Sequence, residues 1–224
     1  MECNLKLSIF FIRNFIMMKL YYASGACSFA IHTMLIESGA QFESQKIDLG
    51  QGEQRTPEFL KVNPRAQIPV LVDGDLLLRE GAAIANYVAE KFNSPLIPKA
   101  GMERARAIEW MMFANATVHP AYSKCFFISR QDIDAAAKEK LTNAACASVQ
   151  TLWDDVEAQL NKTLYCAGEQ VTIADIMLCV MANWGIANQP KFGPKTKAMI
   201  ASVIARPAYQ KALADEGVNY KAAA

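Results

Sequence analysis

The sequence predicts an α/β thioredoxin-like N-terminal domain followed by an all-α helical C-terminal domain, and three observations carry that expectation. Residues 18–93 alternate strand and helix patterns in the order βαβ, then αββα. Residues 94–101, with Pro95 and Pro98, read as a linker. From 102 to 224 no strand-like alternation survives, and the periodic segments all carry helical spacing. The first domain is a thioredoxin-type α/β sandwich when its first unit is parallel and its second antiparallel.

Each element follows from local chemistry. Residues 19–23 are aromatic and aliphatic with a glycine close behind, which predicts a short strand. Ser24-Gly25-Ala26 is a turn, and Cys27 or Ser28 opens a helix to about residue 38, with Ser28 as a candidate cap and Gly39 as the stop. Residues 42–49 alternate into a second strand, 50–55 form a polar loop, and Thr56-Pro57 starts a short helix to about 62. Strands at 70–72 and 76–78 flank the turn Asp73-Gly74-Asp75, and residues 80–92 form an amphipathic helix. Helices are expected at 102–130, 132–160, 173–188 and 194–214. Thr172 followed by Asp175 reads as a variant capping box with a structural role.

Composition narrows the function. With 52% hydrophobic and 20% charged residues the chain is a folded globular protein. Lys plus Arg (23) nearly cancels Asp plus Glu (22), and no basic cluster offers a footprint for nucleic acid. The six cysteines include no CxxC and no Cys/His zinc spacing, so no metal is expected and the reducing cytoplasm is the simpler location. Cys146 and Cys179 lie in apolar helical runs as small buried hydrophobes. Arg13 and Asn14 interrupt the apolar stretch near the start, which is too short to span a bilayer and a poor secretory signal. Residues 1–17 are expected to be a poorly ordered extension, from a start codon upstream of Met18.

Three pieces carry candidate chemistry. Cys27 sits where a strand turns into a helix, facing unpaired N–H groups and the positive end of the helix dipole, a position that favours thiolate. The dipole alone is worth about 0.3–1 kcal/mol, under one pKa unit, so strong activation needs further donors such as Ser28 or a histidine. Local pattern alone also allows Cys27 to be a small residue packed under the sheet edge. Ile68-Pro69 precedes an apolar strand, where a cis bond would turn the Ile68 backbone outward to pair with an extended peptide. Glu80-Gly81 opens the last helix of the first domain, so backbone N–H groups suit a ligand carboxylate and Glu80 suits an ammonium.

Taken together, the run from Tyr21 to Ser28, Val62-Asn63-Pro64 with Ile68-Pro69, and Glu80-Gly81-Ala82-Ala83-Ile84 with Tyr87 resemble the bacterial beta class of glutathione S-transferases. The likeness extends from about Met18 through Arg206-Pro207 and Glu216-Gly217. It implies the glutathione transferase fold, glutathione as co-substrate, a small electrophile as second substrate, and a homodimer in detoxification. It implies that Cys27 contacts the glutathione sulfur, with Ser28 and His119 as further catalytic candidates. Ala26, Leu49, Gln67, Ile68, Pro69, Glu80 and Gly81 are the implied glutathione-binding residues.

Helical counting supports one face on the first long helix of the second domain, since Asn115, His119, Tyr122 and Phe126 fall at i, i+4, i+7 and i+11. Asn115, Tyr122 and Phe126, with Phe113 and Trp184, are the candidate electrophile site. His32 is expected to be structural. The chain departs from the class pattern at several positions. Gln67 replaces an aromatic or apolar residue, Gly81 a common serine, Pro120 a frequent lysine and Gly52 a basic residue. Gln54 or Arg55 are then candidates for the glycyl carboxylate, and Pro120 is expected to kink its helix and re-aim His119. The expected activity is addition of glutathione to small apolar electrophiles. The alternatives are thiol–disulfide exchange or reductive dehalogenation through Cys27, and non-catalytic carriage of apolar ligands.

Overall fold

The computed structural model describes residues 17–222. Apart from Met17, the segment expected to be a poorly ordered extension lies outside the described residues. Strand β1 (Met18–Tyr22) buries Met18, Leu20 and Tyr22 on one face, beneath helix α1 (Ser28–Glu37). Its Tyr21 turns the other way and meets Phe59 edge-on, ring centres 5.8 Å apart. β2 (Phe42–Lys46) pairs parallel with β1, Met18 opposite Phe42. On the other side β3 (Val70–Asp73) runs antiparallel to β1, and β4 (Leu76–Arg79) runs antiparallel to β3. The order β2-β1-β3-β4 is the mixed sheet of the thioredoxin-like expectation. Successive residues of β3 serve opposite faces: Val70 packs with Ile47 and Phe59, Leu71 with the core shared by the helices.

β2 stops at Lys46, short of the expected residue 49, because Asp48 bends the chain. Its carboxylate accepts the Gly50 and Gln51 amides at 2.9 and 3.2 Å, an Asx-type turn. A 3-10 turn (Glu53–Arg55) stands where a plain loop was expected. Helix α2 (Pro57–Val62) then starts behind Thr56, whose hydroxyl accepts the Phe59 amide at 3.3 Å. Helix α3 (Gly81–Phe92) completes the first half.

The second half is helical: α4 (Gly101–Met112), α5 (His119–Ser129), α6 (Ala135–Leu160), α7 (Ile173–Ala182), α8 (Pro194–Ile204) and α9 (Pro207–Glu216). Three expected spans needed correction. The helix expected over 102–130 is interrupted by a π-helical segment (Phe113–Val118). Pro120 has no N–H to donate and its ring would strike the Ala116 carbonyl in an α-helix; the wider turn accommodates both. The helix expected to reach 188 ends at Ala182, where the Asn183 and Trp184 amides tighten to the third carbonyl back. The helix expected over 194–214 breaks at Arg206-Pro207 into α8 and α9, since Pro207 cannot continue the ladder.

α7 is buried along its whole length, and α1 from Ser28 to Leu35. A helix without a solvated face belongs between layers: α1 packs against the sheet and also against α3, α7 and α9. One apolar cluster therefore runs through both halves. The connection between α3 and α4 joins it, burying Leu96 and Ile97, and the Leu96 carbonyl accepts the Ile173 amide at 2.9 Å. The expected capping box is present. Asp175 accepts the Thr172 amide at 2.8 Å and its hydroxyl at 3.0 Å, and also the Cys166 amide at 2.9 Å. Among the described residues no helix is long and apolar enough to cross a membrane, and no cluster of side chains could hold a metal ion.

Candidate active site

The turn between β1 and α1 is pinned from several directions. Gly25 has φ 68°, a conformation that favours glycine. Its amide donates to Glu216 at 2.9 Å, and its carbonyl accepts the Trp184 indole N–H at 2.8 Å. Both partners come from the helical half. Glu216 also bonds His32 Nδ1 at 2.8 Å, which gives His32 the structural place expected of it. Ser28 is fully buried, its hydroxyl donating to the Ala23 carbonyl at 3.2 Å and accepting the Ala23 amide at 3.1 Å. That corrects two expectations: the Ser28 side chain neither caps α1 nor faces the cleft. It locks the turn, and only its backbone N–H reaches the Cys27 sulfur.

Cys27, half-buried at the N-cap of α1, points its thiol at the Ile68 carbonyl, 3.7 Å away. Burial pushes its pKa up to about 11; the Ser28 and Cys27 amides pull it back, and the Glu80 charge adds to the rise. The thiolate favoured by position alone is therefore not the resting form: desolvation outweighs the dipole. The Ile68-Pro69 bond is cis. Buried Asn63 shapes the loop before it, donating to the Gln67 carbonyl at 2.7 Å and accepting the Arg65 amide at 3.1 Å.

Across the loop, Glu80 holds φ 69° and ψ 116° at the N-cap of α3 without capping it by its side chain. Such backbone costs about 1–3 kcal/mol for a non-glycine residue and clusters at functional sites. Among the described residues no side chain caps the first-turn amides of α3, and the exposed Glu80 carboxylate pairs with Arg65 at 3.1 Å.

These pieces border one cavity of about 730 Å³ between the two halves. Ala26, Cys27, Leu49, Gln67, Ile68, Pro69, Glu80 and Gly81 line it from the sheet side. From the helices come Asn115, His119, Phe126 and Trp184. His119 stands edge-on to Trp184, centroids 4.9 Å apart, and burial lowers its pKa below the ordinary value, so its imidazole is neutral at pH 7. His119 and Gln67 also border a shallower cavity of about 440 Å³.

Two aromatic candidates lie elsewhere. Tyr122 is fully buried and its hydroxyl accepts the Trp153 indole N–H at 2.9 Å, so it is core. Phe113 packs edge-on to Trp110 at 5.0 Å and does not border the cavity. The π-helical segment explains the first miss: counting at 3.6 residues per turn from Asn115 fails where the turn is wider. Gln54 lines the cavity and Arg55 does not. Lys46, Arg79 and Arg130 line it unforeseen. As the last residue of an edge strand, Lys46 reads as solvated, and no spacing rule marks Arg79 or Arg130.

Comparison with known proteins adds independent findings. Residues 17–90 match the family model "Glutathione S-transferase, N-terminal domain". Glutathione S-transferase 3 of Zea mays is 33% identical, over 82% of this chain and 87% of the relative. Glutathione S-transferase GstA of Escherichia coli is 30% identical, over 90% of this chain and 100% of the relative. The solved structure of a sphingomonad glutathione S-transferase complexed with glutathione superposes with a TM-score of 0.76 at 31% identity, covering 90% of this chain and 100% of that one.

Proposed function

The chain belongs to the glutathione S-transferase family, and from that premise we propose that it conjugates reduced glutathione to small apolar electrophiles, in the manner of the bacterial beta class. The observation that carries this reading is the convergence, on one cleft, of Cys27, the Ile68-Pro69 loop, the open N-terminus of α3 and an aromatic wall from the second half. In it, the Ile68 backbone pairs with the cysteinyl moiety. The γ-glutamyl carboxylate meets the first-turn amides of α3, and its ammonium meets Glu80. The glycyl carboxylate extends towards Lys46 and Gln54, while the electrophile rests on Phe126, Trp184 and Met177.

Chemistry then needs the glutathione thiolate beside the electrophilic carbon. The neutral His119 imidazole takes the thiol proton or donates to the thiolate, and the Ser28 amide and protonated Cys27 add donors. The sulfur attacks, a C–S bond forms and the leaving group departs with its electron pair. Holding both reactants together removes much of the entropic barrier. A resting Cys27 that is protonated at neutral pH favours conjugation over thiol exchange, which needs a thiolate attacker. Residues 18–93 serve as the glutathione half and 102–224 as the electrophile half, joined by 94–101, and the enzyme works as a cytoplasmic homodimer in detoxification.

The test compares conjugation of a chromogenic aryl halide with reduction of a glutathione mixed disulfide. Conjugation is expected to dominate. Cys27→Ala should weaken it only partly while abolishing exchange. Dominant exchange in the wild type would overturn this reading.

A further inference from the structure

Asn115 was expected at the electrophile site, yet its surroundings place it beside the start of α3. A Cβ built on Gly81 would stand 3.5 Å from Asn115 Oδ1, in ordinary van der Waals contact, and 3.9 Å from Met177 Cε. The carboxamide of Asn115 thus fronts the space that a side chain at position 81 would fill. It makes no hydrogen bond to another side chain among the described residues, and both Asn115 and Gly81 line the cleft. The amides at the start of α3 are uncapped by Glu80, so anion-binding groups and a free carboxamide converge on one spot.

We propose that Asn115 is a glutathione-binding residue, reaching across from the helical half to donate to the γ-glutamyl α-carboxylate in place of the side chain that Gly81 lacks. The inference rests on the glutathione-binding reading above. The α3 amides supply fixed dipoles to one side of the carboxylate, and Asn115 supplies a donor to the other. A carboxamide can present its NH₂ at that spot by rotating half a turn. Because Asn115 belongs to the π-helical segment and Gly81 to α3, the tripeptide's amino-acid head would be gripped by both halves at once.

Glutathione titrations of wild type, Asn115→Ala, Asn115→Asp and the double variant Gly81→Ser/Asn115→Ala test this. Losing one hydrogen bond to a charged group should raise the Kd of Asn115→Ala about tenfold. Asn115→Asp, which keeps the shape but adds like charge, should lose at least as much. The serine hydroxyl of the double variant should recover most of the loss. For γ-aminobutyryl-cysteinyl-glycine, which lacks that carboxylate, wild type and Asn115→Ala should bind alike. Equal affinity of wild type and Asn115→Ala for glutathione, or an equal loss for the carboxylate-free analogue, would overturn the assignment. A wild type that does not bind glutathione at millimolar concentration would instead overturn the reading on which it rests.

Discussion

At Cys27, burial and a helix start oppose each other, and the balance has a measurable consequence. With its pKa pushed up to about 11, Cys27 is held mainly as the thiol at pH 7. Alkylation by iodoacetamide should therefore be slow at neutral pH and rise tenfold per unit towards pH 11, followed by peptide mass spectrometry. A plateau near pH 7 would show that the helix start prevails. His119 should act in the opposite sense: its lowered pKa leaves it neutral, so its acid limb should lie below pH 6.5. His119→Ala should cut kcat for conjugation by about tenfold with little change in KM for glutathione, as loss of a contact made mainly to the thiolate. Cys27 was singled out in sequence by its strand–turn–helix position, and His119 by the family resemblance with helix-face counting beside it. Ser28, Tyr122 and Phe113 were misread because a hydroxyl's partner or a ring's direction depends on tertiary neighbours, Ala23, Trp153 and Trp110.

Among elements, the succession βαβ then αββα and the helical character of the second half followed from periodicity, whereas the breaks and ends of the helices did not. Asp48 shortens β2 through a side-chain turn, and Pro120 is accommodated by a change of helix type that hydrophobic spacing does not encode. Two caps decide how firmly α7 and α8 are held. Asp175 is fully buried and satisfies two backbone amides, so Asp175→Ala should cost about 3–5 kcal/mol in urea unfolding by orphaning them. Glu157 plays the corresponding part for α8, accepting the Lys195 amide at 3.0 Å and the Thr196 amide at 2.7 Å. Burial opposes its ionisation, but these donors prevail and hold its pKa below the usual glutamate value. A carboxyl with a depressed folded pKa stabilises above its unfolded value, about 4.3, and loses that contribution as pH falls through the folded one. Glu157→Gln should therefore lower the melting temperature at pH 7 and narrow the gap to wild type in acid. Gly193 stands so close that an added Cβ would lie 2.2 Å from the Glu157 carboxyl carbon, so Gly193→Ala should displace the same cap.

Over the whole molecule, the two halves share one apolar core and one set of supports for the Cys27 turn. Glu216→Ala should therefore do more than loosen α9. It frees the Gly25 amide and the His32 ring, and should cost about 2–4 kcal/mol while weakening glutathione binding. Calorimetry and ligand titration of the same preparation would separate the two effects, and an unchanged glutathione affinity would show that the turn holds its shape without this support. The link also imposes an order on biogenesis. Gly25 emerges from the ribosome early, but the carboxylate that fixes its amide lies 191 residues further along the chain. A nascent chain halted before α9 would expose a cysteine turn with its Gly25 amide unpaired, and that turn would reach its final shape only once residue 216 has been made and folded back.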